Sequence, residues 1–88
     1  MNMKKYKLAI YINEIRILDY INRLVYTSSD RYSKIMSFEQ AHLSQYKYYP
    51  NILITEEMVQ LFLSKDQIIV DMIEEVLLNK INGNNTNI

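Results

Sequence analysis

The chain has 88 residues, and ten Lys and Arg balance ten Asp and Glu, so the formal net charge is zero. Hydrophobic residues make up 49% of the chain and charged residues 23%, which is typical of a globular domain and excludes wholesale disorder. The absence of cysteine excludes disulfides and thiolate metal sites. These values predict a single domain over residues 1–82, followed by a flexible polar tail over residues 83–88.

The charges are unevenly distributed along the chain. Residues 1–50 carry eight Lys and Arg and four Asp and Glu, whereas residues 51–88 carry two and six, so the two halves can attract each other within one molecule or across a dimer. Charges interrupt the apolar run at the start, which predicts neither a signal peptide nor a membrane span, and we expect a cytoplasmic location. Ile (13), Asn (9), Tyr (8) and Lys (7) have AT-rich codons and indicate the AT-rich genome of a low-GC bacterium, its phage or plasmid, or a large DNA virus.

The scarcity of turn-forming residues favours an all-α fold. Gly83 and Pro50 are the only residues of their kinds, and the tight turns of a sheet-rich fold normally need several residues that tolerate a positive φ. We therefore predict a small bundle of three to four helices, built on helices near residues 8–27, 38–48 and 55–81.

The first predicted helix has an apolar stripe but an ambiguous start. From Ile10 to Val25, apolar residues recur at helical spacing, and Asp19 precedes Arg23 by four residues in the favourable order. From Tyr6 to Ile12, however, apolar side chains alternate with the period of a strand. One long helix is the favoured interpretation, and a short N-terminal strand is the alternative.

The second predicted helix begins at a capping box. Ser37 and Gln40 have the spacing of an N-cap and its reciprocal partner, and Pro50 ends the helix because the residue before a proline is pushed out of the α region. Residues 46–55 could instead form a small hairpin that turns at Pro50 and Asn51.

The clearest amphipathic element runs from Thr55 to Ile81. Thr55 is its predicted N-cap, with Glu56 and Glu57 in the first turn, and Asn82 with Gly83 is its predicted C-terminal stop. One broad face is apolar and the opposite face is acidic. The apolar face contains Met58, Leu61, Phe62, Ile68, Ile69, Met72, Ile73, Val76 and Leu77.

A joint is expected inside this amphipathic element. Lys65 and Asp66 interrupt its apolar face, and residues 64–67 repeat the capping-box pattern of Ser37. We therefore expect a kink or break near Ser64, with a second helical segment from Lys65 to Ile81.

Residues 54–75, ITEEMVQLFLSKDQIIVDMIEE, resemble the helix-turn-helix of small excisionase-like and MerR-like DNA-binding proteins. The resemblance implies a Thr-capped helix, a turn that ends in Ser and a following recognition helix, with DNA as the partner. The residues that carry it are Thr55, Glu56, Glu57, Val59, Leu61, Ser64, Ile68 and Ile73.

Basic and aromatic residues provide a second route to nucleic acid. Lysines and arginines neutralise phosphates, and tyrosines stack on bases. The candidate residues are Lys4, Lys5, Lys7, Arg31, Lys34 and Lys47. The sequence pI of about 6.6 is nevertheless far below the range typical of nucleic-acid-binding domains, so this function ranks second.

The sequence predicts no enzyme, no catalytic residue, no metal site and no cofactor. His42 is the only histidine and lacks companions for a metal or a nucleophile, and the clustered carboxylates fall on a face that should be solvated.

The favoured function is binding to another protein, as a regulator, chaperone, antitoxin, immunity protein or phage-type inhibitor. Self-association as a homodimer is also expected, because so apolar a first helix should leave surface to bury. No membrane partner is predicted. The candidate interface residues are Tyr11, Ile17, Ile21, Met58, Phe62 and Met72.

Overall fold

The computed structural model describes residues 5–29 and 34–84. Five strands come first, and they are β1 (Tyr6–Tyr11), β2 (Glu14–Asp19), β3 (Leu24–Thr27), β4 (Ile35–Ser37) and β5 (Lys47–Tyr49). A short 3-10 turn, Leu43–Gln45, precedes β5, and the helices α1 (Glu56–Phe62) and α2 (Gln67–Asn84) follow it. The strands form one antiparallel sheet in the order β4-β3-β2-β1-β5. The fold is therefore α+β, and the predicted all-α helical bundle is wrong.

The N-terminal half forms strands, and the period-two alternation of apolar residues in β1 is the sequence pattern that correctly indicates them. Leu8 pairs with Ile17 and faces the helices, while the neighbouring Ala9 pairs with Arg16 and faces the other way. Every residue from Ile15 to Asp19 is buried, since both faces of β2 are covered. A strand buried on both faces loses its alternation, and its apolar run then mimics a helical stripe.

The turns of the sheet are made without glycine. Ile12 (φ 48°) and Asn13 (φ 64°) connect β1 to β2, and Arg23 (φ 56°) leads into β3. In the β2–β3 connection the Asp19 carboxylate accepts hydrogen bonds from the backbone N–H groups of Ile21 and Asn22. The argument from glycine scarcity therefore fails, because other residues adopt the left-handed region and a side chain closes a turn.

The capping box at Ser37 forms, but the helix predicted over residues 38–48 does not. The Ser37 N–H donates to Gln40 Oε1 (3.1 Å), and the Gln40 N–H donates to Ser37 Oγ (3.3 Å). A turn over residues 38–41 and the 3-10 turn Leu43–Gln45 follow, after which Tyr46 is buried against the sheet and β5 pairs with β1. The alternative hairpin over residues 46–55 is half present, since its first arm is β5 and residues 52–54 form no strand.

The break expected near Ser64 is confirmed. Helix α1 ends at Phe62 and α2 begins at Gln67. Thr55 caps α1 by accepting from the Met58 N–H (3.2 Å), as predicted. The cap of α2 is Asp66, which accepts from the Ile68 N–H (3.0 Å) and donates its own N–H to Ser64 Oγ (3.0 Å).

The C-terminal stop predicted at Asn82 and Gly83 is wrong. Helix α2 continues through both residues to Asn84, and no glycine among the described residues has a positive φ. The rest of the predicted tail, residues 85–88, lies outside the described part of the chain.

The core has two parts, one on each face of the sheet. Helices α1 and α2 cover the first face, where Leu8, Ile17, Phe62 and Leu77 are fully buried. The segment between β4 and β5 covers the second face, where its Tyr46 is buried with Ala9, Leu18 and Val25 of the sheet. The sheet is thus the middle layer, and its helical side carries the larger buried cluster.

Candidate protein-binding surface

Helix α2 buries only one of its apolar rows. Val70, Ile73, Leu77 and Ile81 recur at spacings of three and four residues and are buried, and the last three belong to the core cluster on the helical face of the sheet. The remaining apolar residues of this helix therefore lie outside the core.

A groove with wholly apolar walls lies between α1 and α2. Its volume is about 220 Å³, and it is lined by Leu61, Ile69, Met72, Ile73 and Val76. Of the lining residues, Met72, Val76 and Leu61 are 64%, 43% and 39% exposed, and Ile68, one turn before Met72, is 71% exposed. We call this feature, with Ile68, the helix groove. Exposed apolar side chains that are contiguous indicate a surface that binds a partner.

Helical spacing places exposed carboxylates on α1 and on α2 next to the residues of the helix groove. Asp71 and Glu75 follow Ile68 and Met72 by three residues each, which places them beside the apolar row of α2. Glu57, one turn before Leu61, occupies the α1 side. All three are exposed, and Asp71 accepts a hydrogen bond from the Gln67 side chain (2.8 Å).

A second cleft, of about 280 Å³, lies between α1 and the end of the sheet and is polar. There the Tyr6 hydroxyl donates to Glu56 Oε1 (2.7 Å), and Lys5 Nζ lies 3.1 Å from the same oxygen. The pKa of Glu56 is lowered, first by the hydrogen bond from Tyr6 and then by that from Lys5. The pKa of Tyr6 is raised by burial and by its bond to Glu56. This network ties the first turn of α1 to β1.

Asp19, at the base of the polar cleft, has structural partners for both carboxylate oxygens. The Tyr26 hydroxyl (2.6 Å) and the Asn22 side chain (2.9 Å) donate to Oδ2, and two backbone N–H groups donate to Oδ1. Burial alone raises the pKa of Asp19, but the bonds from Tyr26 and Asn22 outweigh it, so the net shift is downward. Burial, and then the bond to Asp19, raises the pKa of Tyr26. We therefore assign this cleft to the architecture of the fold.

The predicted basic residues do not form one patch among the residues that the structure describes. Lys5 pairs with Glu56, Lys34 donates to the Ser64 carbonyl (2.8 Å), and Lys47 lies 5.6 Å from the centre of the Tyr49 ring. Lys7 lies on the face of the sheet that points away from the helices. Its Nζ is 5.3 Å from the centre of the Tyr20 ring and 5.5 Å from the centre of the Tyr48 ring. Lys4 and Arg31 lie outside the described residues.

The predicted interface residues are also dispersed. Ile17 and Phe62 are fully buried in the core, and Tyr11 and Met58 are half-buried. Ile21 is 58% exposed but belongs to the β2–β3 connection. Met72 alone of the six lines the helix groove.

Sequence reasoning missed Leu61, Ile68 and Val76 as surface residues and Ile69 as a groove residue, because apart from Met58, Phe62 and Met72 the broad apolar stripe was assigned to the core. The expected break near Ser64 was the available signal. Once the stretch is divided into two helices, the row Val70, Ile73, Leu77 and Ile81 is enough to form the buried face of the second helix. The other apolar residues of that helix then form a second row outside the core.

His42 has an aromatic environment in place of the helical one expected for it. Its side chain is exposed, and its ring centre lies 5.9 Å from that of Tyr11. Glu39, three residues before it in the chain, has its carboxylate 3.8 Å from the Arg23 guanidinium. Within residues 5–29 and 34–84, no group of three or more His, Asp and Glu side chains could hold a metal ion.

Comparison with known proteins yields no relative, since no protein-family model, curated protein or solved structure matches this chain. None of the helices in the described ranges combines the length and the apolar character needed to cross a membrane.

Proposed function

We propose that this chain is a non-enzymatic protein that acts by binding another protein, and that the helix groove is its binding surface. The observation that carries the proposal is the exposed apolar row Ile68, Met72 and Val76 beside a groove with wholly apolar walls. Contiguous exposed apolar side chains rimmed by polar residues are a common feature of protein-binding surfaces.

The polar groups most suited to chemistry support this proposal, because they are engaged within the fold. Asp19 holds the β2–β3 connection, Glu56 joins α1 to β1, and Glu74 accepts a hydrogen bond from the Ser28 hydroxyl. The homodimer predicted from the sequence is one way to cover the helix groove, with a second copy as the occupant.

Two substitutions on α2 provide a matched test of the binding surface. Val76 and Leu78 have equal exposure (43%), but only Val76 lines the helix groove. The tagged wild-type chain and the variants Val76→Glu and Leu78→Glu are used to capture proteins from cells of the source organism, and each captured protein is then purified and titrated calorimetrically.

We expect to find a stoichiometric partner that binds the wild type and Leu78→Glu with similar affinity. The same partner should bind Val76→Glu at least about tenfold more weakly, because a carboxylate replaces an apolar side chain that is buried in the complex. Equal affinity for all three chains, or no stoichiometric partner, would contradict the proposal.

DNA binding through the α1–α2 pair is the alternative proposal. The observation in its favour is that the two helices are joined by only residues 63–66, as the resemblance to helix-turn-helix proteins implies. The exposed Asp71 and Glu75 of α2 oppose it, because they repel phosphates. A fluorescence titration with random duplex DNA at low salt should show salt-sensitive binding under this alternative, and a flat titration rules it out.

A further inference from the structure

We infer that the occupant of the helix groove is an amphipathic helix of a different polypeptide, with basic residues flanking its apolar anchors, rather than a second copy of this chain. The inference rests on the proposed function and specifies the partner's chemistry.

The shape of the helix groove suits a helix. The row from Ile68 to Val76 spans nine residues of α2, whose eight steps along the helix amount to about 12 Å, or just over two helical turns. A helix that lies along such a row inserts side chains spaced three, four and seven residues apart, the usual mode of helix-in-groove recognition. Leu61 of α1 forms the opposite wall and keeps the incoming helix aligned with α2.

The border charges specify what flanks those anchors. Three of the carboxylates on the helices have a role inside the fold, since Glu56 bonds Tyr6, Glu74 bonds Ser28 and Asp66 caps α2. Glu57, Asp71 and Glu75 remain as the acidic border, and Lys65 and Lys80 lie beyond the two ends of the apolar row. Lysine or arginine beside the partner's anchors therefore complements the middle of the groove.

The same charges oppose a second copy at this site. In a two-fold pair of antiparallel α2 helices centred on Met72, each side of one helix meets the same side of the other. Asp71 and Glu75 of one copy would then lie beside Glu75 and Asp71 of the other, and like charges at such positions are unfavourable.

Two designed peptides test the inference on the full-length chain. Both have about 15 residues, blocked ends and leucine at the heptad anchor positions, and they carry either Lys or Glu at every flanking position. We expect the basic peptide to bind at least about tenfold more tightly than the acidic one at low salt, by fluorescence anisotropy, with a ratio that shrinks as salt is added.

Charge variants test whether the carboxylates beside the helix groove cause the preference for the basic peptide. The double variant Asp71→Asn/Glu75→Gln should reduce the preference for the basic peptide to within about threefold. The matched control is Glu39→Gln, which neutralises a carboxylate that is 74% exposed and outside the helix groove, and it should leave the preference unchanged.

Three results would overturn the inference. Equal binding of the two peptides, or an unchanged preference in the double variant, would show that charge does not select the occupant. A wild-type dimer in analytical ultracentrifugation that Val76→Glu dissociates and Leu78→Glu preserves would show that a second copy occupies the groove. All three results leave the proposed binding surface standing, whereas binding of neither peptide, together with failure of the capture experiment, removes the proposed function as well.

Discussion

At the scale of single residues, Asp19 shows how a buried charge can replace a glycine turn. Its carboxylate, 1% exposed, accepts four hydrogen bonds and thereby closes the connection between β2 and β3. The sequence contains this information only implicitly, because an aspartate four residues before Arg23 equally suggests a helical ion pair. The hydrogen bond from Tyr26 in β3 is what distinguishes a turn closed by Asp19 from a helical ion pair, and that hydrogen bond forms only when the sheet forms.

We predict that Asp19→Asn lowers the free energy of unfolding by about 2 kcal/mol at neutral pH, because the amide cannot accept at both positions and leaves donors unsatisfied. The pKa of Asp19 in the folded chain lies below its ordinary value of 3.8, so the ionised carboxylate stabilises the fold above that pH. The stabilisation is lost as the pH falls through the folded pKa. Urea unfolding of both chains at several pH values should show the difference shrink below about pH 4, and a difference that grows there would contradict the assignment.

Ile12 is held in a backbone conformation that β-branched residues avoid. Its φ of 48° lies in the left-handed region, and its side chain is 73% exposed, so burial does not compensate for the strain. We predict that Ile12→Asn raises the free energy of unfolding by about 1 kcal/mol, since asparagine tolerates this region. The control is Leu53→Asn, which removes a comparably exposed apolar side chain (69%) at a residue without a positive φ. Equal thermal shifts for the two variants would argue against relief of strain.

At the scale of elements, local signals predicted what local contacts determine. The cap at Thr55 and the break near Ser64 depend on side chains within a few residues, and both were predictable. The sheet also depends on partners far along the chain, such as Tyr49 opposite Leu8, and no local pattern encodes that pairing. Ser37 and Gln40 form the capping box without a helix, because burial of Tyr46 and Tyr49 on the sheet outweighs the propensity of residues 38–48.

The cap of α2 provides a prediction at this scale. Asp66→Ala should lower the free energy of unfolding by about 1 kcal/mol, because the Ile68 N–H loses its acceptor at the helix start. Lys65→Ala is the neighbouring control and should change stability by less than about 0.5 kcal/mol. Chemical denaturation measures both, and a larger loss for Lys65→Ala would place the cap elsewhere.

At the scale of the whole molecule, the proposed binding surface exists because the packing of α2 on the sheet buries only part of the apolar residues of that helix. A helix that covers one face of a sheet needs one apolar row, and α2 carries two. The sequence revealed the abundance of apolar residues, but it could not reveal the surplus, since that depends on the helix lying on a sheet instead of inside a bundle. For this reason Ile68 and Val76 were assigned to the core, although Met72 of the same row was identified as an interface residue.

The orientation of α2 on the sheet can be tested with two adjacent leucines. Leu77 is fully buried and Leu78 is 43% exposed. We predict that Leu77→Ala lowers the free energy of unfolding by about 3 kcal/mol through a cavity in the core. Leu78→Ala should cost less than about 0.5 kcal/mol. Equal losses in thermal or urea unfolding would mean that a different face of α2 meets the sheet.

The lengths of β4 and β5 have a consequence for behaviour at high concentration. These two strands form the edges of the sheet, and each has only three residues. An incoming strand from another chain thus finds a short row of backbone groups with which to pair, whereas the longer strands β1 and β2 already have neighbours on both sides. Short edges of this kind disfavour the addition of a strand from another chain, and hence amyloid-like stacking of the native protein.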